Sequence, residues 1–180
     1  MSDQKPAGAV GDDLTEFAAE IADQVESFLI AVREIAGARK PVQAVPLLLL
    51  EVSQVLLAGG RLGAIRDVIP EERFEPDPGY DPDVEDLRVV LAKLLDPIDE
   101  YREVFDPYAP DVTVEVSSLS DDIVSVVVDL AHGLKHYRAG RSIEALWWWQ
   151  FSYFSSWGGA ASGVLRALQS VIAHDRMDRE

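Results

Sequence analysis

The chain has 180 residues, 48% of them hydrophobic, no cysteine, and a formal net charge of −16 at pH 7. That length suits one domain that buries roughly two-thirds of its unfolded surface without covalent staples. The missing cysteines exclude disulfides, thiolate nucleophiles and cysteine metal ligands; with no apolar leader after Met1, the expected location is the cytoplasm.

Charge is spread unevenly. Between Asp67 and Asp122, 18 acidic residues face four basic ones, so this third of the chain carries nearly all of the excess. A field of that sign repels phosphate backbones and anionic lipid headgroups, so neither nucleic acid nor a membrane surface is an expected partner. No uninterrupted apolar run approaches the roughly 18 residues that span a bilayer. Arginine outnumbers lysine 12 to 4, a bias associated with GC-rich bacterial genomes.

In chain order, residues 1–11 are small and polar and read as a disordered tail, ahead of a single domain over 12–176 and a frayed end at 177–180. Asp12 or Asp13 is the expected cap of the first helix, whose Leu14, Phe17, Ile21, Val25, Phe28, Val32 and Ile35 form one stripe. Gly37 stops it and Pro41 opens a second, which is apolar nearly all round and so suits the middle of a bundle or a subunit contact. Residues 67–83 hold four prolines and many acids and predict a long loop. Val84–Leu95 reads as a third helix and Ile98–Phe105 as a short fourth. The alternation Val112-Thr113-Val114-Glu115-Val116 allows one short extended segment, with no partner strand in sight. Ser120 is the expected cap of a fifth helix ending near Gly140, and Ser142 of a last one reaching about His174, with a bend at Gly158 and Gly159. The prediction is all-α: a bundle of five to six helices with a long acidic, proline-rich loop.

Two patterns bear on function. Asp129, His132 and His136 share one helical face and are the weak candidates for a metal. The remaining histidine, His174, is far along the chain, so no further ligand is evident and no metal or cofactor is expected. The second pattern is aromatic: Trp147, Trp148, Trp149, Phe151, Tyr153, Phe154 and Trp157 lie within eleven residues. Three consecutive tryptophans cannot all face one core, which makes Trp148, Trp149, Tyr153 and Trp157 candidates for an interface or pocket. Gly59-Gly60-Arg61-Leu62-Gly63 follows a helix, so it is not a nucleotide loop, and no nucleophile elbow occurs.

The run Trp147 to Phe151, then Trp157-Gly158 and Leu165-Arg166-Ala167-Leu168, resembles the C-terminal signature of the bacterial family DUF5063. So do Tyr101 to Tyr108 and the stretch Asp129-Leu130, Gly133-Leu134 and Tyr137, making the likeness strongest from Tyr101 to Leu168. The resemblance implies a helical fold and brings no assigned activity. The favoured reading is a non-enzymatic interaction domain that forms a homodimer or meets another protein. The competing one is a small-molecule- or metal-binding enzyme with a pocket between the last two helices, lined by Asp129, His132, Trp148 and Tyr153.

Overall fold

Asp12 and Asp13 do not begin the first helix. In the computed structural model, which describes residues 7–177, α1 runs Ala7–Ala36, so both aspartates sit inside it and residues 7–11, expected in a disordered tail, are helical. Residues 1–6 and 178–180, the remainder of the expected tails, lie outside the described residues. The other helices are α2 Pro41–Ala64, α3 Glu85–Leu95, α4 Leu119–Arg138, α5 Ser142–Ser152 and α6 Gly158–Met177. A π-helical turn, Tyr153–Trp157, joins α5 to α6, so the bend expected at Gly158 is a widened turn inside one long helix. About 70% of the described residues are helical, and the fold is an all-α bundle bearing one small hairpin.

The inward stripes follow the sequence. Ile21, Val25, Phe28, Val32 and Ile35 of α1 are buried against α2 and α4, and Leu91, Leu94 and Leu95 of α3 are buried where α3 packs on α4 and α1. On α2 the inner face is Ala44, Val45, Leu48, Val52, Val55, Ala58 and Leu62, while Val42, Leu47, Leu50 and Leu57 stand on its outer face. Pro46 lies inside this helix, and Pro41 is in its first turn. By length and composition alone α2 is long and apolar enough to cross a membrane, which counting uninterrupted apolar runs had missed; here its inner face packs on α1 and α6.

The helix starts differ in detail. The cap of α4 is Ser118, whose Oγ accepts from the Asp121 amide at 3.4 Å; Ser120, the expected cap, lies inside the helix. Ser142 opens α5 without a capping bond. The end of α4 is as read: Gly140 takes φ of +77°, its amide bonds Tyr137 O at 2.9 Å, and the Arg141 amide bonds His136 O at 3.0 Å. This left-handed closure satisfies the last carbonyls of the helix at a position where glycine carries no Cβ penalty.

The segment expected to be a short fourth helix is extended instead. Strand β1, Glu100–Glu103, pairs antiparallel with β2, Glu115–Ser118, placing Tyr101 opposite Ser117 and Arg102 opposite Val116. The expected extended segment, Val112–Val116, is paired only at Glu115 and Val116, and its partner is in the same chain. Asp99 fixes the arrangement: its carboxylate accepts from the Ser120 amide at 2.8 Å and from the Ser118 and Ser120 hydroxyls at 2.9 Å. Its own carbonyl accepts from the Leu119 amide at 2.8 Å. These contacts are long-range, so periodicity within residues 98–105 could not register them.

The long loop from Ile65 to Val84 is anchored at its start by two buried polar side chains of α5. Gln150 accepts from the Val68 amide at 2.7 Å and donates to Leu62 O and Arg66 O at 2.9 and 3.2 Å. Glu144 accepts from the amides of Glu71 and Glu72 at 3.1 and 3.3 Å. Backbone groups with no helix or sheet to join are satisfied in this way, and the loop is carried across α4.

Candidate functional site

Helix α4 presents Asp129, His132 and His136 on one face because steps of three and four residues return to the same side of a helix. The loop lays Glu75 across them. One oxygen, Glu75 Oε1, stands 2.6 Å from His132 Nε2 and 2.9 Å from His136 Nε2. The three donor atoms all lie within 4.8 Å of one another. His136 is wholly buried, whereas the side chains of His132 and Glu75 keep 16% and 29% of their exposure, so the cluster opens to solvent on the loop side.

Neighbouring groups orient these three. Asp81 Oδ1 lies 3.4 Å from His132 Nδ1, and Lys135 Nζ donates to Tyr80 O, holding the loop against α4. The Trp148 ring lies 4.0 Å from that of His132 at 34°, and its Nε1 donates to Asp129 O at 2.9 Å. Burial pushes the Glu75 carboxyl up, but the hydrogen bonds and charge of His132 and His136 outweigh it and hold the group below its ordinary value. Asp129 moves the other way: burial raises it, with the Ser156 hydroxyl and His132 opposing. Two buried atoms here, Asp129 Oδ2 and His136 Nδ1, have no hydrogen-bond partner.

Of the four residues placed in the enzyme-like pocket, Asp129, His132 and Trp148 do come together, the His132 and Trp148 rings in contact and the indole N–H on the Asp129 carbonyl. Tyr153 does not: it turns away to pack on Gly59, Gly63 and Trp157. The expectation that the two histidines lack a further ligand is corrected by Glu75. Its only sequence signal was membership of an acidic loop, whose irregular spacing gives no clue to which carboxylate meets α4.

The aromatic run divides between core and surface. Trp149 and Trp157, proposed for an interface, are instead fully buried, and their indole N–H groups donate to Leu130 O at 3.0 Å and Trp149 O at 3.1 Å. Trp149 reaches that depth because Gly133 faces it: a Cβ at Gly133 would overlap the indole. Trp147 and Trp148 are half-buried, and the exposed rings are Phe151 and Phe154, at 53% and 67%.

Phe154 belongs to a second candidate region, the outer face of α2 and α6. A groove of about 930 Å³ runs between the hairpin and α6, with Phe105, Val112, Val114 and Phe154 in its walls. Another of about 740 Å³ lies between α2 and α6, lined by Pro46, Leu50, Ile172 and Ala173. Arg102, Arg166 and Arg176 line these grooves with a single carboxylate, Glu103, which is held by the Ser117 hydroxyl at 3.0 Å.

The family described as a domain of unknown function, DUF5063, matches residues 12–174. The chain belongs to the DUF5063 family. Among solved structures it is similar to the crystal structure of protein BF1032 from Bacteroides fragilis. The two superpose with a TM-score of 0.67 at 18% identity, over 85% of this chain and 93% of that one. That likeness extends the DUF5063 fold to a distant sequence and speaks only to the fold. No curated protein matches the chain.

Proposed function

We propose that this DUF5063 domain is a non-catalytic interaction module that pairs with a second copy of itself through the outer face of α2 and α6. The observation that supports this reading is how much apolar surface that face leaves in water. Leu50, Phe105 and Phe154, each half-exposed or more, line two open grooves, and Leu47 and Leu57 are exposed to the same degree on α2. Isolated exposed apolar side chains are ordinary, but a row of them along one face marks a docking surface. Charge supports the same face. In a chain of −16 its grooves carry three arginines and one carboxylate, while the acidic loop makes its hydrogen bonds to α4 and α5. Two copies meeting there about a two-fold axis keep their acidic loops apart and bury the same patch twice. A stable pair buries about 800 Å² on each partner, several kcal/mol of apolar contact after association entropy is met.

The test is sedimentation velocity across a concentration series of the full chain and of Leu57→Glu and Leu50→Glu. The wild type should sediment as a dimer, and each variant, keeping its helical circular dichroism, should shift toward monomer by at least about tenfold in dissociation constant. Variants that dimerise as the wild type does would remove α2 from the interface and overturn the proposal.

A further inference from the structure

We propose that Glu75, His132 and His136 form a binding site for one divalent transition metal ion of the zinc class. The ligand set is two imidazole nitrogens and a carboxylate oxygen, the mixture that borderline-soft divalent ions prefer, with a fourth position open to water. Tetrahedral bonds of about 2.1 Å set ligand atoms roughly 3.4 Å apart, so Glu75, on a loop, has to withdraw from its 2.6 and 2.9 Å contacts by under about 1 Å, and the two imidazoles, in a set of ligand atoms spread over 4.8 Å, have to turn toward each other. Both histidines stand on the C-terminal half of α4, His136 in its last turn, and burial fixes His136 in place.

Hydrogen-bond bookkeeping around His132 calls for positive charge at this ring. Its Nδ1 faces the Asp81 carboxylate at 3.4 Å and its Nε2 faces the Glu75 carboxylate at 2.6 Å. A neutral imidazole has one N–H and one lone pair, so it cannot donate to both carboxylates. With its proton on Nδ1, directed at Asp81, the lone pair of Nε2 points at the Glu75 oxygen. That contact is met either by a second proton on the ring or by a metal ion between the two atoms. The Asp81–His132 contact is then the outer carboxylate that commonly orients a metal-bound histidine. His136 adds the second nitrogen from the same side, and the surrounding Asp81 and Asp129 carboxylates lend the negative field that a divalent ion seeks.

The test uses the full chain stripped of metal by chelation, then titrated with Zn(II) and, for its spectrum, Co(II). The expected result is one Zn(II) per chain and intense Co(II) visible bands of a four-coordinate site. Glu75→Gln, His132→Ala and His136→Ala should each weaken binding about tenfold or more. Because His136 is buried and its variant could unfold, Glu75→Gln and His132→Ala, checked by circular dichroism, carry the decision. Asp106→Asn with Asp111→Asn, on the acidic hairpin loop, should leave binding unchanged. No saturable binding, or binding that Glu75→Gln and His132→Ala leave intact, overturns the proposal.

Discussion

Asp122 shows how much one carboxylate's setting departs from what its place in the sequence suggests. In the first turn of α4 it looks like a plain dipole-compensating acid; in the fold it accepts from the Tyr101 hydroxyl at 2.7 Å and is half-buried beneath the hairpin. Burial raises its carboxyl, and the charges of Glu103, Asp121 and Asp99 add to this, against the lowering effect of the Tyr101 bond. A carboxyl raised on folding contributes stability that is complete below its unfolded value, about 4, and is lost as pH rises through its folded value. Asp122→Asn removes the charge and keeps an acceptor for Tyr101. The variant should therefore be more stable than the wild type at pH 7, with the gap closing as pH falls toward about 4. Solvent screening keeps that gap on the order of 1 kcal/mol or less. Urea unfolding at several pH values measures it, and a gap that widens on acidification would contradict the assignment. At this scale the sequence was half legible. The spacing of Asp129, His132 and His136 put them on one face, whereas Glu75 and Asp81 join them through a loop fold that no periodicity encodes.

Elements were readable where apolar spacing alone decides them. The stripes of α1 and α3 and the Gly140 closure of α4 follow from local sequence, and the structure keeps them. The hairpin was not readable, because β1 gains its strand only by pairing with residues 12 to 18 positions away and by the Asp99 bonds to the start of α4. The loop after α2 was recognised as a loop, but its order depends on Glu144 and on Gln150, a polar residue that follows the three tryptophans of α5. Gln150→Leu deletes the acceptor of the Val68 amide and the donor to Leu62 O and Arg66 O while keeping similar bulk. Leaving those backbone groups buried and unpaired costs about 1–3 kcal/mol, which falls on the loop. Trypsin should then cut after Arg73 faster than in the wild type, while the helical circular dichroism holds. An unchanged cleavage rate would mean that other contacts hold the loop.

For the whole molecule, the all-α class was legible because five of the six segments read with a helical period are helical. The surface left over was only partly so. An α2 apolar on every side predicted either a central helix or a subunit contact, and α2 is buried on one side with leucines on the other. The tryptophans misled because Gly133 gives Trp149 room and the π-helical turn lies between Trp149 and Trp157, so that both reach the core. What remains outside is a face along α2 and α6, bearing arginines on a molecule that is otherwise strongly acidic. Light scattering of the full chain at micromolar concentration, at low and at moderate salt, tests the central claim most directly. The account predicts about twice the 19.8 kDa chain mass at both, slightly favoured by salt as repulsion between the acidic segments is screened. A mass of one chain under both conditions would contradict it.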